Sequence, residues 1–151
     1  MTLPVIPSQL CTFTVGNHHF GIDVASVREV VRYGIYTRVP KAHPAIRGLM
    51  SLRGQVILTI DLRILLRLPP APPADGRVPL NLVTHHGDQT LALVADAVGD
   101  VISPDARAFE ATPDTVPQPL HDLCSGVFKQ ERGLILLLDV AAAALSKVTA
   151  A

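Results

Sequence analysis

At 151 residues the chain is one ordinary domain, or two small modules sharing a core. Thirteen acidic and thirteen basic residues cancel, so no net field draws it toward nucleic acid or anionic lipid, and with four Phe, two Tyr and no Trp it has few platforms for stacking bases. Apolar residues make up 48% against 17% charged, more than a chain this size can hide, so exposed apolar patches suited to partner proteins are expected.

Met1 to Leu10 lacks a basic start and carries two prolines, so it does not read as a signal peptide. Leu10 to Val15 and His19 to Val24 are short apolar, branched runs around Gly16-Asn17, a hairpin signal. Val27 to Val31 begins the segment after this hairpin, and Arg53-Gly54 reads as a second hairpin turn. Val56 to Ile60 is a continuous run of branched residues, polar only at Thr59, and suits a strand buried on both faces. Asp61 can cap a helix through Leu62 to Leu66, which Pro69-Pro70 ends. The stretch 69–78 is a proline-rich connector, semi-rigid by composition.

Beyond it the pattern starts again. Leu80 to Thr84 and Thr90 to Ala95 flank Gly87-Asp88, and the triplets Phe20-Gly21-Ile22 and Leu91-Ala92-Leu93 lie 71 residues apart. Val27-Arg28-Glu29-Val30-Val31 and Val98-Gly99-Asp100-Val101-Ile102 keep the same offset. Later, Gly48 leads to Asp61 as Gly126 leads to Asp139, each across an apolar run, with Arg132-Gly133 expected as the matching turn. Asp139 then caps an alanine-rich stretch. Pro113, Pro117 and Pro119 mark an irregular segment. Such a duplication predicts an all-β fold with short helices, built as two small barrels: 10–68, then the connector, then 79–147. The longest apolar run, Gly133 to Leu145, is interrupted by Asp139 and shorter than the roughly 20 residues of a membrane span, so no membrane insertion is expected.

Enzymatic and metal chemistry find little support. His18-His19 and His85-His86 recur in both copies, but neighbours on a strand point to opposite faces and do not share an ion. His121, Asp122 and Cys124 form the one cluster suggesting a thiol nucleophile; adjacency in sequence is no sign of catalytic geometry, and Cys11 and Cys124 read as reduced, structural thiols. Gly48, Gly54 and Gly76 lack phosphate-loop spacing. No catalytic residue, metal or cofactor is therefore expected. Arg53 stands at a turn between apolar strands, with Glu29 among the few acids of the first copy. Two readings stand: a surface ion pair worth about 0–1 kcal/mol, or an arginine anchor for a partner.

Read together, Phe20 to Asp23, Val27 to Val30, Thr37-Arg38-Val39-Pro40, Pro44 to Gly48, Leu52-Arg53-Gly54 and Ile60 to Arg63 resemble, in order, the CheW coupling proteins. Ala95 to Val101 and Leu134 to Asp139 continue the likeness, which spans 10–147 as a single CheW-like domain. Ser51 replaces the asparagine usual before Leu-Arg-Gly. The resemblance implies two five-stranded SH3-like barrels with a hydrophobic groove between them. It implies an adaptor without catalysis, cytoplasmic and associated with membrane-bound receptor arrays. Its partners would be the cytoplasmic tip of a methyl-accepting chemoreceptor, in the groove, and the regulatory domain of the histidine kinase CheA, at a barrel end. Val27, Glu29, Gly48 and Arg53 match family positions associated with receptor or kinase coupling, and by the duplication Val98 and Val101 would line the groove's other side. An adaptor of a type IV pilus, twitching or other chemosensory array, or a regulatory module of another pathway, is the rival reading.

Overall fold

The computed structural model describes residues 6–32, 35–70, 78–131 and 133–140. Its first half holds β1 (Leu10–Val15), β2 (His18–Asp23), β3 (Val27–Val31), β4 (Tyr36–Thr37), β5 (Ile46–Leu52) and β6 (Gln55–Asp61), then the one-turn helix α1 (Leu62–Leu65). After the connector come β7 (Leu80–His86), β8 (Gln89–Ala95), β9 (Ala97–Ile102) and β10 (Phe109–Glu110). The short α2 (Leu120–Leu123), β11 (Cys124–Gln130) and β12 (Gly133–Leu138) complete it. Asp61 caps α1 as expected, accepting from the Arg63 amide at 3.0 Å. Residues 71–77 of the connector, Arg132 and the stretch after Val140 lie outside the described residues.

Two mixed sheets form, ordered β10-β11-β12-β2-β1-β9 and β3-β7-β8-β6-β5-β4. Each has five full strands plus one of two residues, in keeping with the five-stranded barrels expected. Curling follows from chain length. β9 and β10 occupy opposite edges of the first sheet, yet only Ser103 to Ala108 join them, a segment that reaches at most about 20 Å. The four residues between β3 and β4 impose the same closure on the second sheet.

One expectation needs correction. Barrels drawn as 10–68 and 79–147 do not match the hydrogen bonding, because the copies exchange hairpins. The β1–β2 hairpin joins the strands of the second copy, and β7–β8 joins those of the first. The exchange is seamed by parallel pairs, β2 with β12 and β8 with β6. Phe20 to Ile22 of β2 and Leu91 to Ala95 of β8 are thereby buried on both faces, as their apolar and small side chains require.

The two crossings obey one pseudo-twofold. Val27, Val30 and Val31 pair with Thr84, Leu82 and Asn81; Val98, Val101 and Ile102 pair with Phe13, Cys11 and Leu10, every residue shifted by 71. A bulge falls at the same place in both ladders, between Val27 and Glu29 and opposite Gly99 between Cys11 and Phe13. The Asp61 amide donates to the Ala45 carbonyl at 2.7 Å, and the Asp139 amide to the Leu123 carbonyl at 2.8 Å. The turns differ: Arg53 (φ 51°) and Gly54 (φ 81°) make a type I′ pattern, while Gly133, expected in the matching turn, already pairs with Gln130 in the β11–β12 ladder.

The largest apolar cluster lies between the sheets. Phe13, Phe20, Ile22, Leu136 and Leu138 from one side meet Ile60, Leu82, Leu91 and Leu93 from the other. Phe13 and Phe20 stack with centroids 5.4 Å apart. Each barrel has its own smaller interior: Leu10, Phe128, Ile135 and Leu137 in one, Met50, Ile57, Val83 and Ala92 in the other. The seam between the copies is thus the main source of stability. Each fully buried Leu or Phe there contributes on the order of 2–3 kcal/mol by removing apolar surface from water.

Candidate functional site: a seam margin and a barrel mouth

Residues paired directly across a ladder share a face. Val30 pairs with Leu82 and Val101 with Cys11, both in the inter-sheet cluster, so both valines face the seam. They sit on β3 and β9, each an outer strand of its sheet, and remain 42% and 52% exposed. Val27 and Val98 pack against the cluster at its border. Among the described residues the protein's own side chains fill the middle of the expected groove, and these four valines are partly exposed along its margin. Val30 was absent from the sequence-based set. The 71-residue repeat that maps Val101 onto it was the signal that could have found it.

Glu29 points the other way. It pairs with Val83, which belongs to the barrel interior, so its carboxylate emerges at the barrel mouth. There Arg53 donates from Nε to Oε2 at 3.0 Å and from Nη2 to Oε1 at 3.3 Å, a two-point pairing. The bonded carboxylate raises the Arg53 pKa above its ordinary value, by hydrogen bond first and by charge second. Beside this pair Arg28 reaches from Nη1 to Gln55 Oε1 at 3.3 Å and Thr90 Oγ1 at 3.4 Å. Arg53 adopts a left-handed φ that an L side chain seldom takes, and it does so at the tip of the β5–β6 turn. Residues held this way often serve function rather than stability. Val56, at the foot of β6, is 70% exposed next to this turn, although its apolar run suggested burial on both faces.

Across the pseudo-twofold, Glu29 becomes Asp100 and Arg53 becomes Glu131, both exposed. The Arg–Glu ion pair is thus not repeated in the second copy, whose matching positions are both acids.

Gly48 plays a different part. It is buried, with φ 150°, and a Cβ there would lie 2.6 Å from the Thr37 carbonyl oxygen and 3.1 Å from Tyr36 Cβ. Its lack of a side chain lets β4 pair with β5. Gly48 is buried and offers little surface of its own, so its part is to shape the β4–β5 backbone.

The thiol reading loses its physical basis. Burial, followed by the nearby Asp139 carboxylate, pushes the Cys124 thiol up to about 12, so at neutral pH it stays protonated. His121 lies beside Asp122 at 3.7 Å and Asp114 at 3.9 Å. Among the described residues no group of three or more His, Cys, Asp or Glu is placed to hold a metal, and no helix is long and apolar enough to cross a membrane.

A two-barrel β fold with a hairpin exchange, a filled apolar seam and a polar mouth matches known proteins along nearly its whole length. The model of the CheW-like domain matches residues 9–147, and the chain belongs to that family. The chain is 30% identical to the chemotaxis protein CheW of Bacillus subtilis, covering 87% of this chain and 83% of that one. It is equally similar to CheW of Helicobacter pylori, covering 87% and 78%, and 26% identical to CheW of Klebsiella aerogenes, covering 89% and 80%. The crystal structure of the scaffolding protein TtCheW from Thermoanaerobacter tengcongensis superposes with a TM-score of 0.77 at 24% identity, covering 89% of this chain and 90% of that one. The chain thus has the fold and family of a chemotaxis adaptor.

Proposed function

We infer that this protein couples a methyl-accepting chemoreceptor to the histidine kinase CheA by binding each at a separate surface. The cytoplasmic tip of the receptor packs on the seam margin, against Val27, Val30, Val98 and Val101. The CheA regulatory domain meets the barrel mouth at Glu29 and Arg53, with Gly48 shaping the backbone behind it. The protein works in the cytoplasm at membrane-bound receptor arrays and makes or breaks no bond.

The observation that carries this reading is the matched exposure of Val30 and Val101. An apolar side chain half-exposed at one position needs no explanation, but the same exposure at two positions related by the internal symmetry supports reading both edges of the seam as partner surface. Coupling then requires only that the two bound receptor states differ in affinity for the adaptor. The Arg53–Glu29 pair supports the second surface, since arginine held at a turn tip supplies a directional charge a partner can read.

Calorimetry of the purified protein against a receptor tip fragment and against a CheA regulatory domain tests this. Saturable binding to both, at once and without competition, is the expected result. Absence of binding to cognate versions of both partners would overturn it, and mutual exclusion would overturn the assignment to separate surfaces.

A further inference from the structure

A charged clasp holds one of the two places where the chain crosses between sheets. Arg63 of α1 donates from Nη2 to Asp96 Oδ2 at 2.7 Å and from Nε to Oδ1 at 3.4 Å, and from Nη1 to the Pro69 carbonyl at 2.8 Å. Asp96 Oδ2 also accepts from the Gly16 amide at 2.7 Å, and the Asp96 amide donates to the Thr14 carbonyl at 2.9 Å. Arg63 follows β6 of the second sheet, Thr14 and Gly16 belong to the β1–β2 hairpin of the first, and Asp96 is the single residue between β8 and β9 where the chain passes over. One carboxylate therefore ties three segments from both sheets.

The internal repeat supplies a control. Shifting by 71 maps Asp96 to Ala25 and Gly16 to Gly87, and shifting by 78 maps Arg63 to Ala141. The second crossing thus carries alanine where the first carries the carboxylate. Its corner is spanned by the Val24 amide donating to the Gln9 carbonyl at 3.1 Å, with Asp23 accepting locally from the Ala25 amide at 3.0 Å. The turns reflect the difference. A Cβ on Gly16 would meet Arg63 Nη1 at 3.9 Å and Leu68 Cδ1 at 4.0 Å, whereas one on Gly87 would meet nothing within 4 Å.

We propose that the Arg63–Asp96 clasp is a fixed pivot between the two sheets, and that rotation about it, with the Val24–Ser26 crossing giving way, sets the separation of the β3 and β9 valines. The proposal rests on the seam-margin reading above and says how that surface is held. The apolar seam is non-directional and tolerates small rotations, while a two-point charge-assisted pair fixes orientation as well as distance. Arg63 and Asp96 side chains are 17% and 32% exposed, sheltered enough to escape most of the screening that weakens surface pairs. A pivot with one stiff corner and one yielding corner lets a receptor change the gap without breaking the core. Arg63 and Asp96 are positioning residues, since neither stands on the seam margin.

Spin labels at Gln89→Cys on the second sheet and Gln130→Cys on the first, in the full chain, report the inter-sheet distance by pulsed electron resonance; the native thiols Cys11 and Cys124 are buried. The parent protein should give a narrow distribution. Asp96→Asn should broaden it at least about twofold while hydrogen exchange inside each sheet keeps its protection, and Arg63→Lys, which retains a single charged bond, should fall between. Affinity for a receptor tip fragment should drop about fivefold or more in Asp96→Asn, the size of an ordinary coupling between sites. An unchanged distribution in folded Asp96→Asn overturns the pivot, whatever happens to affinity. A broadened distribution with unchanged affinity overturns its link to the binding surface. If the parent protein itself ignores the receptor tip, the seam-margin reading fails, and the distance measurement still decides the pivot.

Discussion

Arg53 combines a backbone that L residues avoid with a side chain bonded at two points to Glu29. Being exposed, the pair adds little to folding. Arg53→Glu should therefore weaken binding of at least one partner about tenfold or more while leaving the thermal midpoint within a few degrees; a variant that unfolds would make Arg53 structural. Cys124 makes the opposite kind of prediction. Its thiol binds a proton more tightly when folded, so its contribution is present below the unfolded value of 9.0 and is lost as pH rises toward about 12. Between those limits the parent protein should lose stability faster with pH than Cys124→Ala, by up to about 1.4 kcal/mol per pH unit. Urea midpoints collected every half unit from pH 8 to 11 measure that difference, and parallel curves would refute it. At this scale the sequence named Glu29 and Arg53 correctly as a potential pair, since an isolated arginine among apolar strands needs an acid. It could not show that Gly48 is buried. That depends on β4 passing so close that a Cβ would lie within 3 Å of it, a contact between segments with no mark in local composition.

Among the elements, β4 depends on Gly48. A methyl group there must displace the Thr37 backbone and adopt an unfavourable φ, so Gly48→Ala should cost more than about 1 kcal/mol and lower protection of the Tyr36 and Thr37 amides first. Exchange measured residue by residue checks this, and uniform loss across the second sheet would contradict it. The hairpins were legible: Gly16-Asn17, Arg53-Gly54 and Gly87-Asp88 each mark a two-residue turn, and each forms one. The short β4 and β10 were not, because two residues carry no periodicity to read. The register of the second β-turn was misplaced by one residue for a related reason. Arg-Gly recurs in both copies, but the ladder is set by the apolar alternation of the flanking strands, which puts Gly133 opposite Gln130.

For the whole molecule, duplication was visible in the sequence, and the hairpin exchange was not. Repeated motifs show that two units share a fold, but either hairpin satisfies the same partner strands, so the sequence leaves the pairing within or between copies undetermined. The parallel ladders β2–β12 and β8–β6 settle it. One consequence is testable by cutting. Fragments 1–70 and 78–151 each leave one hairpin without the sheet it belongs to, and an isolated hairpin is marginal in water. Mixed in equal amounts they should restore a single cooperative unfolding transition as a one-to-one complex; a fragment that unfolds cooperatively as a monomer would contradict the exchange. The same exchange explains why the seam is so apolar: it is the core of an intertwined pair rather than a contact between finished domains, and the proposed receptor surface is its margin. The most direct test of that placement is the affinity of a receptor tip fragment for Val101→Lys, measured by calorimetry alongside its unfolding curve. The expected result is a loss of about tenfold or more with unfolding unchanged, since Val101 is half-exposed at the seam margin. Full affinity in a folded Val101→Lys protein would place the receptor elsewhere and contradict the account.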